Sequence, residues 1–92
     1  MAVTVRIPTT LRPMSGGNKL VEVEAGALST VISGLDAQHP GFAERLLDDD
    51  GSLRKFVNVF VDDDDVRYLD GLATKVDDGL TVSIIPAVAG GS

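Results

Sequence analysis

Short segments in which hydrophobic and polar residues alternate occupy much of the chain, and this period of two is typical of strands with one buried face. Residues 2–8 alternate in this way until Pro8, which ends the pattern. Residues 9–18 are rich in turn-forming residues and predict a loop, after which residues 19–25 alternate again. These segments predict an opening β-hairpin with a long connection.

The spacing of apolar residues changes from strand-like to helical after residue 26. Apolar residues at positions i, i+3, i+4 and i+7 predict an amphipathic helix over residues 27–38. Pro40 ends this helix near His39. Because proline is tolerated in the first turn of a helix, a second, short helix is expected over residues 41–47.

The second half of the chain contains the strongest strand signal. At residues 56–61 three valines share one face of the segment Phe-Val-Asn-Val-Phe-Val. The four aspartates at 62–65 predict a turn, and residues 66–68 are a candidate short edge strand. Residues 80–85 alternate once more and form the last predicted strand.

This order of elements predicts an α+β roll, in which one main helix and a short second helix accompany a four- to five-stranded mixed sheet. Residues 1–86 would form this domain, and residues 87–92 have little to pack and are expected to be a flexible tail. The inward-facing positions are all apolar. They are Val3, Val5, Ile7, Val21, Val23, Leu28, Val31, Ile32, Leu35, Val57, Val59, Val61, Val82 and Ile84.

Composition excludes several kinds of chemistry. The 92 residues include no cysteine and one histidine, so thiolate metal sites, a cysteine nucleophile and histidine-based triads are all excluded. The formal net charge is −6 and resides in residues 48–92, which argues against nucleic acid as the main partner and predicts attraction to a basic one. No apolar run is long enough to span a bilayer, and residues 1–6 lack the features of a signal peptide, so a soluble cytoplasmic protein is expected.

Two motifs resemble ligand sites but fail on spacing. A calcium loop needs glycine at position six and glutamate at position twelve, and counting from Asp62 these positions hold Arg67 and Ala73. The acidic loop that begins at Asp48 fails the same test. Residues 15–19, Ser-Gly-Gly-Asn-Lys, lack the spacing of a phosphate-binding loop. The sequence therefore predicts neither a metal site nor an enzyme site.

Two other features indicate function. By alternation Phe60 and Ile85 project from the open face of the sheet, with Phe56 as a third candidate, which predicts an apolar docking patch. The alternative is that the long loop covers the phenylalanines or that a bulge changes the register. The second feature is the pair Gly90 and Gly91, which leaves a narrow backbone able to thread a channel and an unhindered acyl group.

Together these features resemble the ThiS and MoaD family of ubiquitin-like sulfur carriers, which have a β-grasp fold. Within that family the chain is similar to the CysO-type carriers of cysteine biosynthesis. The resemblance covers nearly the whole chain. It rests on residues 3–9 and 11–13, on Phe-Val-Asn-Val-Phe-Val-Asp-Asp-Asp-Asp-Val-Arg at 56–67, on Gly-Leu-Ala-Thr at 71–74, on the Asp-Gly turn at 78–79, and on residues 82–91, which end in Gly-Gly.

The resemblance implies a carrier rather than an enzyme, with no cofactor of its own. A ThiF/MoeB-like adenylyltransferase would use ATP and magnesium to adenylate Gly91, and sulfur transfer would then give a thiocarboxylate. A cysteine synthase dependent on pyridoxal phosphate would use this sulfur with O-phosphoserine. A JAMM-type zinc metalloprotease would finally cut the cysteine from the carrier.

Ser92 departs from the family pattern, because mature carriers end at the second glycine of the tail formed by Ala89, Gly90 and Gly91. The expectation is that a JAMM-type protease removes Ser92. The alternatives are a residue added in cloning, or a carrier that is never charged. Three other functions fit the same pattern: sulfur carriage for thiamin or molybdopterin, modification of target lysines through Gly91, and an acidic interaction domain with an inert tail.

Overall fold

The computed structural model describes residues 2–55 and 57–86. The strands are β1 (Ala2–Arg6), β2 (Leu20–Glu24), β3 (Gly26–Ala27), β4 (Val57–Val61), β5 (Asp64–Asp65), β6 (Lys75–Val76) and β7 (Thr81–Pro86). The helices are α1 (Leu28–Gln38) and α2 (Phe42–Leu46), with 3₁₀ helices at Thr9–Ser15, Val66–Tyr68 and Gly71–Ala73. Each predicted helix and each main predicted strand is present.

The larger sheet has the strand order β2-β1-β7-β4-β5. Its central pair, β1 and β7, is parallel, with Val5 beside Val82, and the other neighbouring pairs are antiparallel. The short strands β3 and β6 pair separately, with Gly26 opposite Val76. A mixed sheet of five strands with one main helix and one short helix confirms the predicted roll.

The core lies between one face of the sheet and α1. Every predicted core residue is buried, none being more than 7% exposed. Phe42, Leu46, Val66 and Val76 complete the core. The alternation in the strands and the row of apolar residues along α1 therefore predict which residues are buried, because each pattern places its apolar side chains on one face.

The edge of the sheet differs from the prediction. Residues 66–68, the candidate edge strand, form a 3₁₀ helix, and β5 is the edge strand instead. The side chain of Asp65 caps this helix by accepting the backbone N–H of Arg67 at 2.8 Å. The helical turn also carries Val66 into the core, where it is fully buried.

The long connection between β1 and β2 is not the featureless loop that was predicted. Its residues Thr9–Ser15 form a 3₁₀ helix, from which Leu11 and Met14 pack against the core. Ser15 is buried, and its hydroxyl lies 3.0 Å from the carbonyl of Arg12 and 2.8 Å from that of Asn18. The connection is thus held by its own hydrogen bonds.

None of the helices in the described residues is long and apolar enough to cross a bilayer.

Asp36 joins the two helices. Its Oδ1 accepts the backbone N–H groups of Ala43 at 3.0 Å and of Gly41 at 2.9 Å, at the beginning of α2. The hydrogen bonds from Ala43 and Gly41 hold the pKa of Asp36 below its usual value, since they favour the charged carboxylate.

We expect this carboxylate to stabilise the fold at neutral pH and to lose its contribution in acid. A lowered folded-state pKa adds stability above the unfolded value of about 3.9, and that stability disappears as the pH falls through the folded-state pKa. Urea unfolding of the wild type and of Asp36→Asn from pH 7 to pH 2 measures the effect. The difference in unfolding free energy between the two proteins should shrink toward low pH, and a difference independent of pH would contradict the assignment.

Candidate functional site

The predicted site residues divide into two groups. Ala89, Gly90, Gly91, Ser92 and Phe56 lie outside the described residues. Phe60 and Ile85 lie within them, together with Pro86, the last described residue before the tail. The structure therefore describes the place from which the tail departs and the surface beside it.

The sheet face opposite α1 is open, and its residues form rows across the strands. In one row Leu20 of β2 lies opposite Arg6 of β1, Arg6 lies beside Ser83 of β7, and Ser83 lies opposite Phe60 of β4. Directly paired residues have side chains on the same face of a sheet. Arg6 therefore lies on the open face at the end of β1, between Leu20 and Ser83.

The two predicted docking residues lie on this face as diagonal neighbours. Ile85 follows Ser83 by two residues along β7, and Ser83 is the partner of Phe60. Diagonal neighbours are within reach of an aromatic side chain. Ile85 is 49% exposed, Leu20 is 56% exposed and Phe60 is half-buried. The open face thus presents an accessible apolar surface near the end of β7.

An open groove runs along this face toward Pro86, the last described residue before the predicted tail, which we call the tail root. Its lining residues include Arg6, Arg12, Lys19, Leu20, Asp62, Asp63, Ile85 and Pro86. Arg6 lies beside Ser83, whereas Asp62 accepts the N–H of Thr81 at the beginning of β7, so the cations and the two aspartates lie toward opposite ends of the groove. Among the described residues the one ion pair joins Arg54 and Asp48 at 3.4 Å, so no described carboxylate lies within ion-pair distance of the groove cations.

The sequence prediction did not identify this basic cluster, because residues 1–47 carry equal numbers of basic and acidic side chains. One signal was available. Alternation places Arg6 on the outer side of β1, since Val5 and Ile7 face inward. The approach of Arg12 and Lys19 to the same strand end is a tertiary feature that periodicity cannot give.

Arg67, in the 3₁₀ helix Val66–Tyr68, contacts the beginning of β4, the strand that pairs with the tail root. Its guanidinium donates hydrogen bonds to the backbone oxygens of Arg54 and Lys55 at 3.0 Å and of Val57 at 2.8 Å, and to Oδ1 of Asn58. A planar fork of donors suits such a set of acceptors better than the single ammonium of lysine. Arg67 therefore fixes the beginning of β4.

The beginning of β4 is also the segment against which the tail root is held. Val57 pairs with Pro86, and Asn58 pairs with Ile85. These are the last rungs of the ladder before the tail. Arg67 is thus a positioning residue for the point at which the tail leaves the domain.

We expect Arg67→Ala to loosen these last rungs. Losing several hydrogen bonds to a charged donor should accelerate amide exchange at Asn58 and Ile85 about tenfold, equivalent to about 1.4 kcal/mol of local stability. Exchange measured by NMR against the matched variant Arg45→Ala, on the exposed side of α2, tests this. Arg67→Lys should restore only part of the protection. Equal exchange rates in the Arg67→Ala and Arg45→Ala variants would contradict the positioning role.

The acidic side chains of the described residues are not gathered into a metal site. Among residues 2–55 and 57–86 no group of three or more histidine, aspartate or glutamate side chains could hold a metal ion. The four aspartates at 62–65 are divided between a turn and β5, and all are at least partly exposed. The described residues thus combine an open, partly apolar sheet face with the last residues before the predicted tail.

Comparison with known proteins identifies the class to which this arrangement belongs. The model of the ThiS family matches residues 5–91, a range that includes both tail glycines and stops before Ser92. The chain belongs to the ThiS family, as the resemblance predicted.

Individual relatives show which members of the family the chain is similar to. The chain is 53% identical over 93 residues to the sulfur carrier protein CysO of Mycobacterium tuberculosis, with 99% of this chain and 100% of that protein covered. A chain in the crystal structure of the Amycolatopsis orientalis BexX/CysO complex superposes with a TM-score of 0.92 at 45% identity, covering 97% of this chain and 99% of that one. The small archaeal modifier protein 3 of Haloferax volcanii is 37% identical over 94 residues, with 99% and 100% covered. The predicted similarity to CysO-type carriers is therefore confirmed.

Proposed function

We propose that this chain is a sulfur carrier protein, and not an enzyme, in which the carboxyl group of Gly91 carries sulfur as a thiocarboxylate for cysteine biosynthesis. The observation that carries the proposal is the 53% identity to the sulfur carrier CysO along essentially the whole of both chains. The match of the family model as far as Gly91 supports the same residue as the site of attachment.

The chemistry of the terminal glycine explains why a carrier needs an activating partner. A carboxylate is a poor electrophile, and adenylation by ATP with magnesium gives it AMP as a leaving group while pyrophosphate is released. A sulfur donor then displaces AMP at the acyl carbon, and the product is a soft sulfur nucleophile. Gly90 and Gly91 suit this reaction because they have no side chains to obstruct a narrow active site.

Three partners follow from this scheme. A ThiF/MoeB-like adenylyltransferase would activate and charge Gly91, and a cysteine synthase using pyridoxal phosphate would receive the sulfur. A JAMM-type metalloprotease would release the product. The partnership recorded for a relative in the BexX/CysO complex supports the idea that carriers of this fold act by docking to other proteins. Because activation consumes ATP, we place the reaction in the cytoplasm.

Phe60 and Ile85 are the residues that we propose for docking, with Phe56 as a further member. Phe60 and Ile85 are diagonal neighbours on the open face, and the exposed side chain of Ile85 lies one residue before the tail root at Pro86. A partner seated on this patch would lie close to the point from which the tail extends. Docking and delivery of Gly91 would then occur at a single surface.

Charging in vitro tests the carrier function. A chain truncated after Gly91 is incubated with the cognate adenylyltransferase, ATP, magnesium and a sulfide source, and its intact mass is measured. We expect one oxygen of the carrier to be replaced by sulfur. Omitting ATP is the control, and an unchanged mass in the complete reaction would refute the carrier function.

Ser92 must be removed before charging, because the carboxyl of Gly91 is part of an amide while Ser92 is attached. We propose that a JAMM-type protease hydrolyses this bond. Mass spectrometry of the protein from its native cells under sulfur demand should detect chains that end at Gly91. Detection of only uncleaved chains would contradict processing.

A second candidate is a ubiquitin-like modifier that forms isopeptide bonds through Gly91. The 37% identity to small archaeal modifier protein 3 favours keeping this alternative. Conjugates of higher mass in cell lysate that disappear when Gly91 is deleted would support it. A thiocarboxylate without conjugates would favour the carrier function over the modifier function. The identity of the enzyme that accepts the sulfur would then distinguish a role in cysteine synthesis from one in thiamin or molybdopterin synthesis.

A further inference from the structure

We propose that the groove beside the tail root binds an acidic segment of the activating adenylyltransferase. Arg6, Arg12 and Lys19 are the residues that recognise this segment. This inference rests on the proposed function and deepens it, because it specifies the chemistry of the partner surface that the open face accepts. It also changes the electrostatic expectation drawn from sequence, in which the acidic half alone attracts a basic partner.

Two backbone hydrogen bonds of Ile7 bring the three cations together. The N–H of Ile7 donates to the carbonyl of Lys19 at 2.7 Å, and its carbonyl accepts from Nε of Arg12 at 3.2 Å. Arg6 is the preceding residue and points to the open face. Arg12, in the 3₁₀ helix of the long connection, and Lys19, its last residue, are thereby fixed at the end of β1 beside Arg6.

The neighbours of Arg6 leave it accessible to a partner. Its diagonal neighbour on β2 is Glu22, which pairs with Thr4 and lies beyond ion-pair distance of the Arg6 guanidinium. Along β1 Arg6 is preceded on the open face by Thr4, and across the sheet it lies beside Ser83. Both are short side chains, and Leu20 on the other side is largely exposed. An incoming carboxylate can therefore reach the Arg6 guanidinium while an aliphatic or aromatic residue next to it packs on Leu20 and Ile85.

Charge makes this position selective. The chain as a whole has a net charge of −6, so most of its surface repels an acidic segment, whereas the three groove cations attract it. Asp62 and Asp63 lie at the opposite end of the same groove and repel it there. The groove therefore has a basic end and an acidic end. A partner segment with its acidic residues at one end can bind in only one direction.

A protein segment fits these observations better than a small anion such as phosphate. The groove is open and includes the exposed apolar side chains of Leu20 and Ile85, which a phosphate ion would leave unused. A peptide that carries both carboxylates and apolar side chains uses the cations and the apolar surface together.

Charge reversal at matched positions tests the proposal in the complex with the adenylyltransferase. We expect Arg6→Glu to raise the Kd for the enzyme about tenfold or more and to steepen its dependence on salt, and Arg6→Gln to have a smaller effect in the same direction. Arg45→Glu makes the same change of charge on exposed α2 and should leave the Kd within about twofold. Equal weakening by Arg6→Glu and Arg45→Glu, or none by either, would overturn the proposal.

Two further readouts separate this inference from the proposed function. Charging of the wild type is measured separately from the Kd, so a wild type that binds the enzyme through the groove but is never charged refutes the carrier function and not the groove. NMR titration of the carrier with a synthetic peptide of alternating glutamate and leucine should shift Arg6, Lys19 and Leu20. Shifts confined to other surfaces, or the same shifts with inorganic phosphate at equal concentration, would overturn the assignment to a protein segment.

Discussion

A carrier truncated after Gly90 is expected to accept no sulfur, whereas the same chain truncated after Gly91 is charged to completion. Under the proposed function the reacting carboxyl must reach the active site of the adenylyltransferase, and a tail shortened by one residue falls short by about 3.3–3.6 Å. A displacement of this size removes the reacting atom from attack distance, because productive geometry tolerates errors well below 1 Å. Intact mass after incubation with adenylyltransferase, ATP and sulfide measures the charged fraction.

Chain length and side-chain bulk can be separated by a second variant in the same series. Gly91→Ala, also truncated after residue 91, keeps the length and adds one methyl group, so it should be charged slowly rather than not at all. All three chains should unfold at the same denaturant concentration, since the described core lies between Val3 and Ile84. Charging of the Gly90-terminated chain at the rate of the Gly91-terminated one would rule out Gly91 as the attachment site.

The parts of the fold that could be predicted are those in which burial follows a period. The valines at 57, 59 and 61 occupy one face of β4, and the stripe of α1 meets them across the core. A side-chain pattern sustained over five or more residues leaves few other arrangements that would bury it. The succession of elements along the chain could be inferred for the same reason, and the second helix could be inferred from Pro40. The order of the strands within the sheet could not, because periodicity does not say which strands become neighbours.

The elements that were missed are short or have no apolar period. β3, β5 and β6 contain two residues each, so alternation has nothing to repeat. Residues 66–68 have a strand-like composition, and the capping hydrogen bond that the backbone N–H of Arg67 donates to the side chain of Asp65 turns them into a 3₁₀ helix. A local side-chain interaction thus prevailed over residue preference.

The candidate site shows the same division between local pattern and tertiary contact. The tail glycines are visible in sequence because their chemistry depends on composition alone. The basic end of the groove depends on Ile7 bonding to both Arg12 and Lys19, and the tail root depends on Arg67 reaching residues 9 to 13 positions earlier in the chain. Such contacts appear only once the fold has brought distant residues together.

Phe60→Asp is expected to weaken activation by the adenylyltransferase strongly while the domain remains folded. Phe60 is half-buried in the middle of the open face, and its removal takes away an aromatic contact of the kind that dominates binding at interfaces. The new carboxylate would also have to be desolvated on docking. We expect KM for the carrier to rise about tenfold or more, a loss of at least about 1.4 kcal/mol, with little change in kcat.

Two controls separate docking from charge and from folding. Ser33→Asp adds the same charge on the exposed side of α1, away from the open face, and should leave KM unchanged. Phe60→Asn removes the aromatic ring without adding charge and should retain most of the effect. Phe60 pairs directly with Asp65, so the new carboxylate at position 60 would face a like charge and lower the unfolding free energy by roughly 0.2–1 kcal/mol. The ring of Phe60 is itself half-buried, so its loss adds to this cost, and the unfolding free energy of Phe60→Asp is measured beside its kinetics. Unchanged activation kinetics in the folded variant would remove Phe60 from the docking surface.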